Sequence, residues 1–189
     1  MGEEEIRNQL SLYLTISNVI MTLGSYLSFG KRRYSIVEIA ITDTEMPLQD
    51  FMEKLNDIML SNEVNYQKMR LMACPDHYLI LTTGYKTQEV IETTGGSPFP
   101  TQFFITYDDE EGLCSKQDPS YDMQLVGVAR TKSGTVIEGV RYQVRKESNG
   151  LRVKLLVEFP FLVPNWMIKE HQFHLMCEFN NWIQDILDT

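Results

Sequence analysis

The sequence predicts an α+β domain. Its expected parts are a single antiparallel β-sheet of about six to seven strands, a long N-terminal helix, a short helix near residues 47–60 and a long C-terminal amphipathic helix packed on the sheet. Three observations lead there. Apolar residues recur at helical spacing at both ends of the chain. Strand-like segments follow one another without interruption from Tyr66 to Val163. Asn149-Gly150 sits between two alternating segments and is the strongest short-range hairpin signal in the chain.

Glu3 to Phe29 reads as the first helix. Ile6, Leu10, Tyr13, Leu14, Ile20, Met21 and Leu27 form its apolar stripe, with Ser17 and Gly24 beside it where another element could approach closely. Acidic residues open the helix, Gly30 fits a position just past its end, and Lys31-Arg32-Arg33 supplies favourable charge at its C-terminus. Leu12, Ile16, Val19 and Leu23 carry the apolar surface well beyond one face, more than a single sheet covers. A second copy of the chain would supply that cover, with Tyr13, Leu14, Ile20 and Leu27 as the candidate interface.

Tyr34 to Ile41 alternates as a strand, and Pro47 to Leu60 forms the second helix with Pro47 in its first turn. Tyr66–Ala73 and His77–Thr83 read as a hairpin across Cys74-Pro75-Asp76, and Lys86–Thr93 as an edge strand. Further strands run over Thr101–Tyr107, Met123–Thr131, Thr135–Glu147 and Leu151–Val163, and Pro160 implies an edge or a bulge. A two-residue Asn149-Gly150 loop sets Ser148 opposite Leu151, Val144 opposite Leu155, Tyr142 opposite Val157 and Val140 opposite Phe159. It also sets Arg141 against Glu158. Asn165 caps the last helix, Trp166–Asp188, whose apolar face carries Leu175, Phe179, Trp182 and Ile186. His174, Glu178, Asn181 and Asp185 fall opposite, on the expected wet face. No linker or repeat divides the chain, so residues 1–189 are one domain.

Composition narrows the function classes. The net charge of −9 argues against nucleic-acid binding through a basic surface. Three scattered cysteines without a CxxC fit a reducing compartment, and the acidic start does not suit a signal peptide, so a cytoplasmic protein is expected. Leu10 to Phe29 holds no charge, but Ser, Thr and Asn residues interrupt it; a buried helix is favoured over membrane contact.

No catalytic motif is present, and no cofactor or metal is expected. Glu170, His174 and Glu178 share a helix face at metal-ligating spacing, but the wet face of an amphipathic helix explains them. Cys74 beside His77 reads as a turn cysteine rather than a nucleophile, and Thr94-Gly95-Gly96-Ser97 lacks the Lys of a phosphate loop. The acidic run Asp108–Glu111 lacks the alternation of a calcium loop. Phe99, Tyr107, Tyr121 and Trp166 are the candidates for lining a groove or meeting a partner.

Two non-catalytic functions follow. In size, acidity and terminal amphipathic helices the chain resembles the small acidic cytosolic chaperones of bacterial secretion systems, which implies a protein partner or self-association. From Tyr34 onward the element order is similar to the helix-grip architecture of START-like proteins, which implies a small apolar ligand between the sheet and the last helix. The interaction-protein reading is the first choice, and ligand binding the alternative.

Overall fold

Seven strands form one antiparallel sheet in the computed structural model, which describes residues 2–188. The chain runs α1 (Glu3–Leu27), β1 (Arg32–Thr42), α2 (Leu48–Leu60), α3 (Val64–Met72), β2 (His77–Gly84), β3 (Thr87–Glu92), β4 (Thr101–Tyr107), β5 (Met123–Arg130), β6 (Val136–Glu147), β7 (Gly150–Pro160) and α4 (Asn165–Leu187). The strand order is β1-β7-β6-β5-β4-β3-β2. Only β1 must cross over, and it does so through the α2–α3 pair; every later strand pairs with its predecessor.

The two sheet faces carry different loads. Val37, Ile80, Val90, Phe103, Ile105, Val140, Tyr142, Val153, Leu155 and Val157 point to the inner face, where α2 and α4 bury Phe51, Leu55, Leu175, Phe179 and Trp182 against them. Strand alternation sends their neighbours to the outer face. There α1 lies, with Leu14 packed against Leu79 and Ile91 in a second, smaller cluster. Arg7 grips Glu89 through two hydrogen bonds, Ser17 Oγ meets Thr101 Oγ1 at 2.6 Å, and Ser25 donates to the Val136 carbonyl. The helices therefore cover both faces of the sheet.

Residues 66–72 are helical rather than a strand, and Ala73 caps the helix. Gln67, Lys68, Met69, Arg70, Leu71 and Met72 are good helix formers, and Tyr66, Met69 and Arg70 share an inward side. β3 lies between β2 and β4 and is not an edge. Pro160 ends β7 beyond the last residue paired with β6, Glu158, so its missing N–H breaks no ladder on that side. Asn165 is the first residue of α4, and Pro164 takes the cap position; the Asn165 amide instead accepts a hydrogen bond from Arg33. Arg32 and Arg33 open β1, so α1 has no basic last turn.

The β6–β7 hairpin closes through Ser148-Asn149. Glu147 faces Gly150, Val144 faces Val153, Tyr142 faces Leu155 and Val140 faces Val157. Relative to the expected register the partners move by two, which keeps every residue on its face. The cause is β1. Gly150 also pairs with Thr42, and Asn149 bonds Asp43 through both backbone and side chain, so the turn residues are drawn into a third strand. The shift separates Arg141 from Glu158. Arg141 is buried on the outer face beneath residues 108–120, bonding Gln124 and the Ser115 carbonyl, while Glu158 accepts from the amides of Cys114 and Ser115.

Of the candidate interface residues, Leu14 is buried within the chain, whereas Tyr13, Ile20 and Leu27 are exposed. Gly24 has open space where a side chain would point, so Ser17 alone marks a close approach. By length and composition α1 is apolar enough to cross a membrane.

Candidate functional site

Between the inner sheet face and α4 lies a cavity of about 60 Å³. Its walls are largely apolar, with Ile80, Val90, Phe103, Ile105, Val140 and Leu175 among them. Set into those walls are Arg70, Gln88, Glu92, Glu138, His171, His174 and Glu178, all buried. Local structure explains each placement. On α4, residues 171, 174, 175, 178 and 182 recur at 3.6-residue spacing and share the sheet-facing side. On β6, Glu138 alternates inward with Val140 and Tyr142, and on β3 Glu92 follows Gln88 and Val90 onto the same face. The expectation that His174 and Glu178 lie on the wet face of the last helix is thus overturned. α4 meets the sheet over a wider arc than its apolar residues span, and these two fall inside it.

The histidines form the centre. His77 Nδ1 is 2.9 Å from the carbonyl of Arg70 in the last turn of α3, where helix carbonyls lack intrahelical partners. A carbonyl only accepts, so Nδ1 carries the proton and Nε2 is left as the acceptor of a neutral ring. His77 Nε2 faces Glu178 Oε1 at 3.5 Å, Glu92 Oε2 at 3.7 Å and His174 Nε2 at 3.3 Å. On the far side of its own ring, His174 Nδ1 meets Asp76 Oδ2 at 3.4 Å and Cys74 Sγ at 3.5 Å. Thr94 Oγ1 donates to the other oxygen of Glu92 and so turns Oε2 inward. His171 stacks beside His174 and bonds Ser35 Oγ at 2.9 Å.

The site is electrostatically loaded. Burial opposes charge on His174, but its contact with Cys74 and the Glu92 and Glu178 carboxylates outweighs this and raises the imidazole to about 11. Burial, aided by His174, pushes His171 down to about 3. Burial and the nearby Glu92 carboxylate raise Glu138 to about 8, so it is mostly protonated at neutral pH. Burial likewise raises Glu178, and burial with Glu178 raises the phenols of Tyr107 and Tyr142. Four buried polar atoms on this wall have no hydrogen-bond partner in the protein: Glu138 Oε1, Arg70 Nε, Arg70 Nη2 and Trp182 Nε1.

The four aromatic groove candidates do not come together. Tyr107 lines the cavity. Phe99 stacks on Tyr13 of α1, Tyr121 lies under Arg145 and Lys154 on the outer face, and Trp166 is half exposed at the start of α4. Thr94-Gly95-Gly96 is a short 3-10 turn packed on α4, where a side chain on Gly95 would meet the Met167 carbonyl. Arg70, Glu92 and Glu138 were not singled out from sequence. Glu138 is legible in retrospect, as an acid among the inward apolar residues of a strand.

No family model matches the sequence, and no curated protein matches it. Solved structures do. Ara h 8.0201 superposes with a TM-score of 0.53 at 10% identity, covering 84% of this chain and 100% of that one. A protein of uncharacterised function from Rhizobium leguminosarum follows at TM-score 0.44 and 8% identity, covering 84% of this chain and 97% of that one. A conserved protein from Geobacillus kaustophilus reaches 0.43 and 11%, covering 84% and 96%. The last two are too distant to carry an argument. The match to Ara h 8.0201, with one antiparallel sheet packed on a C-terminal helix, gives this chain the helix-grip, Bet v1-like fold.

Proposed function

We propose that the protein binds a small ligand between its sheet and α4, in the manner of a helix-grip protein. One observation carries this reading: the partnerless buried atoms of Glu138, Arg70 and Trp182 all border one cavity. A buried polar group without a partner costs about 1–3 kcal/mol, and three residues bearing that cost around one space are accounted for by an occupant. The apolar walls suit an apolar body; the unpaired atoms call for at least one acceptor and one donor on it. The binding group is small, since a single water takes about 10–15 Å³ of such space and the cavity offers about 60 Å³.

Native mass spectrometry of the purified full-length chain tests the proposal. A reproducible small organic adduct on the wild type, lost from a folded Val140→Phe variant that fills the cavity, is expected. A chain that carries no such adduct, and whose melting temperature no small amphipathic compound raises, would overturn it.

A second reading rests on a separate feature. Leu12, Ile16, Val19, Leu23 and Leu27 leave α1 with an exposed apolar side in the single chain, which supports a protein partner or self-association there. Sedimentation of wild type against Leu12→Lys/Leu23→Lys tests it: a dimer converted to monomer supports that reading, and a monomeric wild type removes the self-association half.

A further inference from the structure

We infer that His77, His174 and Glu92 form a binding site for one divalent transition-metal ion, with zinc the best match and the Glu178 carboxylate beside His77. The inference deepens the ligand-binding proposal, because His174 and Glu92 line the same cavity and His77 stands directly behind them. Hydrogen bonding supplies its first support. Arg70 O takes the Nδ1 proton of His77, and Asp76 with Cys74 engages Nδ1 of His174. In the neutral rings both Nε2 lone pairs then point at each other across 3.3 Å, with carboxylate oxygens 3.5 and 3.7 Å from His77 Nε2. Acceptors that converge in this way are held together by a shared cation, either a proton or a metal ion.

Distance supplies the second support. Ligands bound to zinc at about 2.0–2.1 Å in a tetrahedron stand about 3.3–3.4 Å apart. Within the cluster, the contacts from His77 Nε2 to His174 Nε2 and Glu92 Oε2, 3.3 and 3.7 Å, fall near that edge length. The ligating atoms of His77, Glu92 and His174 all lie within 4.8 Å of one another. Two imidazoles and one carboxylate select a borderline first-row ion over calcium or magnesium, which prefer all-oxygen sites. Glu92 and the neighbouring Glu178 carboxylate together balance the charge of one divalent ion, leaving the interior neutral. Carbonyl and carboxylate partners on the outer nitrogens are the usual supports of metal-bound histidines. The unpaired Glu138 Oε1 borders the same space.

The full-length chain, stripped with a chelator and titrated with zinc alone, tests the inference. One ion per chain is expected by native mass spectrometry, and cobalt should give the visible bands of a tetrahedral site without a thiolate charge-transfer band. Glu92→Gln and His77→Asn, checked for folding by circular dichroism, should each weaken zinc binding at least about 100-fold, and Cys114→Ser, at an exposed cysteine away from the site, should leave it unchanged. A thiolate band lost in Cys74→Ser would instead place the ion on Cys74, Asp76 and His174 and overturn the assignment. Failure to bind zinc or cobalt would show that protons alone hold the cluster. The two proposals fail separately. An organic adduct that survives chelation on a chain that binds no zinc leaves ligand binding standing and removes the metal; zinc without any organic ligand does the reverse.

Discussion

His77 Nε2 and His174 Nε2 face each other at 3.3 Å, although the two residues stand 97 positions apart in the chain. His77 opens β2 directly after α3, and His174 lies midway along α4. The end of α3 joins them: its Arg70 carbonyl orients His77, and its Ala73 carbonyl accepts from Asn181 of α4 at 2.7 Å. The positioning of the cluster therefore depends on how α3 is held.

The Arg70 side chain does much of that holding. Its Nη1 donates to the Ile58 carbonyl at 2.6 Å and the Ser61 carbonyl at 3.0 Å, stitching the end of α2 to α3. Hydrogen bonds from a charged donor are worth about 1.5–3 kcal/mol each. Burial of the guanidinium, which lowers its pKa, offsets part of that. Arg70→Met is expected to destabilise the chain by about 2–4 kcal/mol in urea denaturation while leaving the His77–carbonyl bond in place.

His171 should remain neutral wherever the chain is folded. Its folded pKa of about 3 lies below the ordinary value of about 6.5. The unfolded chain thus takes up a proton that the folded chain refuses. Stability from this residue is fully present above about pH 6.5 and is lost as pH falls toward 3. In an NMR titration the His171 ring resonances should show no inflection between pH 8 and 5. A midpoint near 6.5 would mean that the ring is not enclosed.

The Arg7–Glu89 pair should make α1 docking sensitive to acid. Burial resists the Glu89 charge, but Arg7 and Gln102 outweigh it and hold the carboxyl below its ordinary value. A depressed carboxylate stabilises above its unfolded pKa of about 4.3, and the contribution is lost as pH falls through the folded value. Glu89→Gln should cost about 1–3 kcal/mol at pH 7 and progressively less below pH 4. Urea melts of both proteins across that range measure it.

The sheet was legible because alternation is local: β4 matches its expected bounds, and β1, β2, β5 and β6 do so within one or two residues at each end. α3 was missed because Tyr66 and the paired Leu71-Met72 imitate a strand, while the helix-forming run between them was not weighed. The site was missed for a different reason. His174 and Glu178 look like a wet helix face because polarity alone sets that expectation. Only the packing of α4 across the sheet shows that the buried arc includes them. Likewise no local signal places His77 beside His174, since the contact depends on the α3 carbonyls that hold both elements. Phe99, Tyr121 and Trp166 were singled out as aromatic residues on loops and helix starts, yet nothing in that pattern fixes which sheet face or end each one reaches.

Two glycines offer a paired test of where the backbone is constrained. Gly150 sits at φ +141, and a Cβ there would lie 1.9 Å from the Ile41 carbonyl oxygen. That oxygen belongs to β1, whose pairing with the hairpin draws Gly150 into the sheet, so neither partner can yield without opening β1 from β7. Gly150→Ala should cost more than about 3 kcal/mol. Gly24 lies within α1, where a Cβ would meet nothing within 4 Å. Alanine in a helix interior is about 0.5–1 kcal/mol better than glycine, so Gly24→Ala should stabilise by that amount. Thermal melts of the two variants should move in opposite directions. If Gly150→Ala melted like the wild type, the three-strand pairing at the turn, and the register it imposes on β6 and β7, would be wrong.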